Sequence, residues 1–256
     1  MGRKCDLKNP KTFNEKLNYL KLHDHNPLYP SLVDKASVRE YVKEKIGKEY
    51  LVPMLGLWDS ADDIDFDALP SSFVLKCTHD SASFVLCPDK SNFDKEAAIA
   101  KLNEALKVNY YYETREWVYK DLTPRIIAEE FLEDNEDKEL RDYKIFCFNG
   151  EPKLMYIATD RAIHETKFDF FDMDFNHIDM RQHYPNSEKI LHKPKNFELM
   201  KELASKLSAG LKHVRVDFYE VNGRVYFGEM TFYNNCGMTP IDPIEWDYKI
   251  GEWLET

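Results

Sequence analysis

Two acidic residues near the carboxyl end of the sequence are the first candidates for chemistry. Asp217 and Glu229 lie in VRVDFYEVNGRVYFGEMTFYNN, where apolar and polar residues alternate on either side of Asn222-Gly223. This alternation predicts a two-stranded hairpin with one face toward a core and both carboxylates on the polar face. Opposed carboxylates repel unless a cation lies between them, and such oxygen ligands suit Mg²⁺ that holds a nucleoside triphosphate. The alternative is a solvated sheet face with ordinary charges.

The register of the hairpin decides whether these carboxylates meet. A strict two-residue turn at Asn222-Gly223 would turn Glu229 to the face opposite Asp217. We therefore predict a three-residue loop closed by a left-handed glycine, in which Glu220 pairs with Arg224. In this interpretation Asp217 lies directly opposite Glu229.

Composition indicates a globular chain that forms one large domain or two lobes sharing a cleft. Of its 256 residues, 14% are aromatic and 32% are charged. We expect a cytoplasmic protein with no transmembrane segment, because the apolar runs are short and MGRKCDLKNPKTF lacks a secretory apolar region. The net charge of −11 argues against nucleic acid or an anionic membrane as the main partner. The five scattered cysteines are expected to be reduced core residues.

Two lysines occupy positions that favour a nearby anion. Lys35 falls in the first turn of a predicted helix that begins near Asp34 and ends at Gly47, where the helix dipole disfavours a cation. A phosphate would account for it, and a solvated lysine is the alternative. Lys76 interrupts the buried strand of a predicted hairpin, Phe73 to Pro88. A buried ammonium group requires an anionic partner.

The loop of this second hairpin, Thr78 to Ser83, offers N–H groups and hydroxyls for phosphate oxygens. It contains no glycine, which makes close backbone approach to a phosphate harder. His79 is a candidate for contact with phosphate or acceptor, although loop histidines are more often structural. Further along, RIIAEEFLED predicts a strand with an acidic end, suited to binding a flat base and ribose hydroxyls.

The order of these motifs resembles the ATP-grasp superfamily, and longer stretches resemble its TupA-like subgroup, from about Leu7 to Leu254. The stretches are LKNPKTFNEKL, DKASVREYVKEKIG, REWVYKD, PRIIAEEFLED, DYKIFCFNGEPK, YPNSE and VRVDFYEVNGRVYFGEMTF. The resemblance implies an α+β ATP-grasp fold, with two α+β lobes whose antiparallel sheets enclose a nucleotide cleft. We expect residues 1–70 to form an N-terminal helical or α+β segment, residues 71–135 the small lobe with phosphate loop and hinge, and residues 136–256 the large lobe with the Mg²⁺-binding hairpin.

The resemblance also implies roles for individual residues. Arg215 and Lys144 are expected to be catalytic, with Arg215 steadying the transferred phosphoryl group or a tetrahedral intermediate. The residues expected to bind ATP are Lys35, Lys76, Thr78, His79, Ser81, Ser83, Glu129, Leu132 and Asp142. Those expected to bind Mg²⁺ are Asp217, Glu229, Thr231 and Asn234. Thr231 replaces the usual metal-binding asparagine of the superfamily, and THDSA stands where subgroup members typically carry NHGSG.

The implied activity is that of an ATP-dependent carboxylate–amine ligase that proceeds through an acyl phosphate. We expect a small-molecule or saccharide acceptor with a carboxylate, such as a uronic-acid sugar or precursor in bacterial surface (capsular) polysaccharide synthesis, and an amino-acid or amine donor. ATP and Mg²⁺ are the expected cofactors. Two alternatives stay open: a phosphotransferase or glycosyltransferase acting on a surface polysaccharide, and a catalytically weak nucleotide-binding protein. The glycine-free loop and Thr231 favour the second of these.

Overall fold

The chain divides into two compact units, seen in a computed structural model that describes residues 3–81, 83–135, 140–160 and 165–256. One unit consists of the described residues of Met1–His25 and Glu133–Thr256, and the other is Asn26–Leu132. The segment 1–70 is thus shared between the two units, and the later boundary follows Leu132.

The helices are α1 (Phe13–His23), α2 (Tyr29–Val33), α3 (Val38–Lys45), α4 (Lys95–Leu106), α5 (Tyr111–Thr114), α6 (Phe197–Ser208) and α7 (Ile244–Trp253). The strands are β1 (Met54–Trp58), β2 (Phe73–Cys77), β3 (Phe84–Cys87), β4 (Ile126–Glu130), β5 (Asp142–Phe148), β6 (Glu151–Thr159), β7 (Lys167–Phe171), β8 (His177–Ile178), β9 (Arg181–Gln182), β10 (His213–Val221), β11 (Arg224–Thr231) and β12 (Ile241–Asp242). None of the described helices combines the length and apolarity needed to cross a lipid bilayer.

The unit Asn26–Leu132 is built on a four-stranded antiparallel sheet in the order β1-β4-β2-β3. Alternate residues of β2, namely Phe73, Leu75 and Cys77, enter a core with Leu102 of α4. Asp94 caps the start of α4 by accepting a hydrogen bond from the N–H of Ala97 at 2.9 Å. The hairpin predicted from Phe73 to Pro88 is confirmed by the pairing of β2 with β3. Alternate residues of β2, including Lys76, face away from this core.

The other unit is built on a six-stranded antiparallel sheet in the order β11-β10-β5-β6-β7-β8. The amphipathic helix α6 covers one face, where the sulfur of Cys147 lies 3.8 Å from the main-chain oxygen of Ala204. Phe13 of α1 covers part of the opposite face and packs edge-on against Phe146 and His213. The polar side chains of β5 and β10 lie on this second face.

The turn of the β10–β11 hairpin differs from the prediction. Val221 pairs with Arg224, so the loop has only two residues, Asn222 and Gly223, and both are left-handed with φ of 51° and 73°. The predicted three-residue loop, with Glu220 paired to Arg224, is wrong. Two consecutive left-handed residues match the twist of the strands, and Asn-Gly adopts this turn readily.

A β-bulge supplies the register change that the prediction assigned to the turn. Regular pairing continues to Phe218 and Phe227, after which Gly228 and Glu229 stand opposite the single residue Asp217. If Glu220 had paired with Arg224 and regular pairing had continued from there, Phe227 would lie opposite Asp217. Glycine suits the bulge, because a Cβ on Gly228 would make a tight contact, 3.1 Å, with the main-chain oxygen of Asp217.

Helix α3 begins later than the sequence predicted. We expected a start near Asp34, whereas α3 begins at Val38. The Asp34 carboxylate accepts hydrogen bonds from the N–H groups of Ala36 at 3.2 Å and Ser37 at 2.7 Å, which forms a separate turn. Lys35 lies in this turn and not in the first turn of the helix.

Candidate functional site

A group of buried or half-buried polar side chains on β5, β10, β11 and the turn that follows β11 surrounds one arginine. We call it the guanidinium cluster and define it as Arg215, Asp217, Glu229, Lys144 and Asn234. Arg215 donates from Nε to Oδ1 of Asp217 and from Nη2 to Oδ2, each at 2.7 Å. The same Nη2 lies 3.0 Å from Oε1 of Glu229. The guanidinium group therefore provides the cation between the two carboxylates that the sequence required.

Further acceptors complete the surroundings of Arg215. Its Nη1 donates to Oδ1 of Asn234 at 2.7 Å, and its Nη2 to Oγ1 of Thr231 at 3.1 Å. Strand pairing explains the contact with Thr231, which is the direct partner of Arg215 on β11. Asn234 follows β11 in a short helical turn, Asn234–Gly237.

Lys144 adds a second cation to the cluster. It is the cross-strand partner of Asp217 on β5, and its Nζ donates a hydrogen bond to Oδ2 of that carboxylate. The same Nζ lies 3.6 Å from Oδ1 of Asp142, which is buried at the start of β5. The structure thus brings together both expected catalytic residues and Asp142, one of the residues expected to bind ATP.

Mutual attraction keeps these groups charged despite their burial. Burial by itself raises the pKa of Asp217, but Arg215 and Lys144 outweigh it and hold that pKa below its ordinary value. Burial alone would lower the pKa of Lys144, whereas Asp142 and Asp217 raise it above the usual range. A fixed positive charge is therefore maintained beside Asp217 at neutral pH. Such preorganised charge is suited to stabilising negative charge that develops during a reaction.

A smaller charged group lies on the four-stranded sheet of Asn26–Leu132. Glu129 on β4 accepts hydrogen bonds from Nζ of Lys76 at 2.7 Å and from Nη1 of Arg39 at 2.8 Å. The side chain of Lys76 is 26% exposed, so it is less buried than the sequence indicated. Its required anionic partner is Glu129, which pairs with Val74 on the neighbouring strand.

The same face of this sheet is apolar around Lys76. Phe84 and Leu86 on β3 are 41% and 52% exposed, and they pair with Lys76 and Val74 respectively. Ile127 is the partner of Lys76 on the other side. An exposed apolar surface bordered by a lysine and a glutamate is suited to binding a flat, polar-edged ring.

Lys35 contacts the glycine-free loop. Its Nζ donates a hydrogen bond to the main-chain oxygen of Asp80, and its N–H donates to the oxygen of Thr78 at 3.1 Å. The carboxylate of Asp80 accepts from the N–H of Ser83 at 3.3 Å. The lysine and the loop expected to hold phosphate are therefore adjacent within one unit. Ala82, also part of this predicted loop, lies outside the described residues.

The remaining residues of the predicted nucleotide site differ in exposure. Thr78 and His79 are buried, and Nε2 of His79 lies 3.1 Å from the main-chain oxygen of Val108. Ser81 is exposed and Ser83 is half-buried. Leu132, which follows β4, is half-buried. The side chains of Thr78 and His79 thus pack inward, while the two serines lie nearer the surface of the loop.

Two residues of these groups were not singled out from the sequence. Arg39 lies four positions after Lys35, and residues at this spacing are neighbours on one face of a helix. This spacing could have indicated Arg39 as a second cation near Lys35. Gln182 is 3% exposed and accepts a hydrogen bond from Nδ2 of Asn234 at 2.8 Å. Nothing in the local sequence indicates this contact.

Comparison with known families now decides the classification. The family model described as TupA-like ATPgrasp matches residues 15–255. The chain belongs to the TupA-like ATP-grasp family. Membership confirms the expected ATP-grasp fold, and the antiparallel sheets of both units agree with it. No curated protein matches this TupA-like chain.

Solved structures similar to this TupA-like protein are ATP-grasp ligases. D-alanine–D-alanine ligase from Bacillus anthracis, complexed with ATP, has 15% identity and a TM-score of 0.45, covering 78% of this chain and 55% of that chain. The enzyme from Helicobacter pylori has 13% identity and a TM-score of 0.47, with 95% and 69% covered. The ligase PsnB, complexed with a precursor variant, Mg and ADP, has 11% identity and a TM-score of 0.44, with 80% and 52% covered. The TupA-like chain spans little more than half of the Bacillus anthracis and PsnB chains.

The oxygen atoms around Arg215 meet only part of what a Mg²⁺ site needs. Carboxylate and amide oxygens from Asp217, Glu229 and Asn234 are ligands that Mg²⁺ accepts. Glu229 is 33% exposed and gives only Oε1 to Arg215, so its carboxylate fits a metal ligand. Asp217 gives both oxygens to Arg215 and would have to exchange one of these bonds. Among the described residues, no group of three or more His, Cys, Asp or Glu side chains is placed to hold a metal ion.

Proposed function

We propose that this TupA-like protein is an ATP-dependent carboxylate–amine ligase. A carboxylate oxygen of the acceptor attacks the γ-phosphorus of ATP, which releases ADP and forms an acyl phosphate. The amine of the donor then attacks the acyl carbon, and phosphate leaves as the amide forms. The guanidinium cluster is the observation that carries this proposal, because it holds two buried cations beside carboxylates that suit a metal. Family membership supports it.

The side chains of the chain have separate tasks in this scheme. Arg215 and Lys144 stabilise negative charge on the phosphoryl group or on the tetrahedral intermediate, since both remain protonated while buried. Lys35 and Lys76 bind phosphate oxygens, and the serines of the Thr78–Ser83 loop donate further hydrogen bonds.

Further contacts orient the nucleotide. Glu129 and Leu132 hold the base, and Asp142 contacts the ribose. Mg²⁺, held by Asp217 and Glu229 with Thr231 or Asn234 nearby, would supply charge neutralisation for the phosphates. The buried state of Thr78 and His79 favours the two serines as the loop's contacts with ligand.

The acceptor is proposed to be a uronic-acid sugar or a precursor of a bacterial surface polysaccharide, and the donor an amino acid or other amine. This assignment rests on the TupA-like resemblance, which is associated with surface-polysaccharide and teichuronopeptide synthesis. The chemistry requires only that the acceptor carries a free carboxylate. The net charge of −11 favours local binding pockets over a broad anionic-polymer surface.

A mass-spectrometric screen of ATP and Mg²⁺ with uronic acids and amino acids tests the reaction. The expected products are ADP, phosphate and an amide-linked conjugate in equal amounts. Phosphate retained on a hydroxyl of the acceptor would replace the ligase with a phosphotransferase. Nucleotide binding without turnover across the panel would leave a nucleotide-binding protein.

Metal participation has its own measurement. Mg·ATP should raise the melting temperature of the parent protein, and Glu229→Gln should remove most of the Mg²⁺-dependent part of that rise. Glu151→Gln is a matched control, because Glu151 is exposed and pairs only with Lys153 at 2.5 Å in the described chain. If Glu229→Gln responds to Mg·ATP like the parent, Glu229 is not a metal ligand.

A further inference from the structure

A buried glutamine, Gln182, links the guanidinium cluster by hydrogen bonds to the main-chain carbonyl of Thr239. Gln182 lies on β9 and pairs with Ile241 of β12. Its Nε2 donates to the main-chain oxygen of Thr239 at 3.3 Å, and its Oε1 accepts from Nδ2 of Asn234 at 2.8 Å. Oδ1 of Asn234 accepts in turn from Nη1 of Arg215 at 2.7 Å. A hydrogen-bond chain thus runs from a carbonyl through two amides to the guanidinium group.

The chemistry at the two ends allows only one direction of hydrogen bonding. The carbonyl of Thr239 can only accept and the guanidinium of Arg215 can only donate, whereas each amide has one accepting and one donating end. The carbonyl therefore faces the NH₂ of Gln182, whose oxygen faces the NH₂ of Asn234. Asn234 is left with its oxygen toward Arg215. Reversal of either amide would set two donors or two acceptors against each other.

The residues around this hydrogen-bond chain restrict movement of its two amide groups. Gln182 and Asn234 are both buried, at 3% and 0% exposure, so water cannot replace a lost partner easily. The carbonyl of Thr239 is itself held by Nδ2 of Asn14 on α1 at 3.0 Å. The residue that follows Asn234 is left-handed, with φ of 47° at Asn235, a conformation that persists only where the surrounding structure holds it.

We propose that Gln182 is a positioning residue for Arg215. It orients the amide of Asn234 so that an acceptor, and not a donor, meets Nη1, and this contact adds to the two hydrogen bonds from Asp217 that hold the plane of the guanidinium group. The functional part of the inference rests on the proposed function, in which Arg215 stabilises the transferring phosphoryl group. The structural part concerns hydrogen-bond direction alone and holds for any role of Arg215.

A matched pair of variants separates orientation from simple packing. Gln182→Met and Gln182→Glu preserve the length of the side chain, and both lose the donor to the carbonyl of Thr239. Only Gln182→Glu keeps an acceptor for Asn234. Hydrogen exchange of the Arg215 guanidinium N–H groups, followed by ¹⁵N NMR, should accelerate about tenfold in Gln182→Met and change little in Gln182→Glu.

A rescue variant tests the same link in a second way. Asn234→Asp presents an oxygen to Arg215 in either orientation of its carboxylate, so it no longer needs Gln182 to orient it. In this background Gln182→Met should leave the exchange of Arg215 unchanged. If Gln182→Met alone does not fold, the comparison of Asn234→Asp with the double variant still tests the role of Gln182.

Kinetics supply the functional readout once substrates are known. Gln182→Met should lower kcat about tenfold with the KM for ATP nearly unchanged, because Arg215 acts on the transition state. Equal exchange of Arg215 in the Met and Glu variants, or unchanged exchange in Gln182→Met, would overturn the positioning role. Altered exchange with no ligase activity in the parent would instead refute the proposed function and leave the positioning role intact.

Discussion

Arg215 and Asp217 form a bidentate ion pair within one strand, with Nε and Nη2 of Arg215 each 2.7 Å from a carboxylate oxygen of Asp217. The residues are separated by a single position, so the strand's alternation puts them on one face. The next residue across the bulge, Glu229, joins the same guanidinium group. This pair is the centre of the candidate site and the basis of the first prediction.

Asp217→Asn should destabilise the protein by about 3–5 kcal/mol, because it leaves Arg215 and Lys144 buried without their shared anion. Glu229→Gln, at the exposed end of the same cluster, should cost about 1 kcal/mol or less. Urea denaturation at pH 7 measures both free energies of unfolding. Equal losses in the two variants would show that Asp217 does not pair these cations in solution.

Lys76→Met should weaken ATP binding by about tenfold to a hundredfold, which corresponds to a lost charge-assisted contact. The fold should tolerate the change, because Glu129 keeps Arg39 as a partner and Met retains the length of the side chain. Isothermal titration calorimetry gives the dissociation constant. Lys95→Met is the control, since Lys95 pairs with Asp67 at 3.5 Å and lies over the ring of Phe66, which belongs to the core on the other face of the sheet. An unchanged constant in Lys76→Met would remove Lys76 from the nucleotide site.

Asp80→Gly should tighten ATP binding. Glycine gives the loop access to left-handed angles and closer approach to phosphate, and the change removes a negative charge from the loop, where the Asp80 carboxylate accepts from the N–H of Ser83. Asp80→Asn removes the charge but adds no backbone freedom, so the difference between the two variants isolates the effect of glycine. Calorimetric titration of both with ATP supplies the comparison. If neither variant binds ATP more tightly than the parent, the loop does not limit nucleotide binding.

The free energy of unfolding should fall with pH below about 6.5 because of His213. This histidine is enclosed by Phe13 and Phe148, and its Nδ1 donates to the main-chain oxygen of Cys147 at 2.9 Å. Burial lowers its pKa from 6.5 to about 3.

Between those two pH values the unfolded chain binds a proton at His213 that the folded chain does not, so stability is lost as pH falls, by up to about 1.4 kcal/mol per unit. His213→Gln should flatten this dependence in urea titrations from pH 7 to pH 4, relative to the parent. The exposed His192, changed to Gln, is the control that should leave the slope unaltered. A parent-like slope in His213→Gln would contradict the assignment.

Much of the candidate site followed from local sequence pattern. Period-two alternation in β10 put Arg215 and Asp217 on one face. Lys76 lies inside an apolar strand, and this position indicated that its ammonium group needs an anionic partner. These inferences hold because the period of a strand and the cost of an unpaired buried charge depend on residues within one short segment.

Other features were decided only in the folded chain. The bulge at Gly228 depends on two strands meeting, so the sequence of the hairpin suggested the wrong loop although it paired the right carboxylates. The partner of Lys76 proved to be Glu129, and that of Asn234 proved to be Gln182, each more than fifty residues away in the chain. Alternation along a strand determines which face of the sheet a side chain occupies. Register and strand order determine which distant side chain it contacts. Long-range hydrogen bonds are therefore set by tertiary packing, because contact distance is independent of separation along the chain.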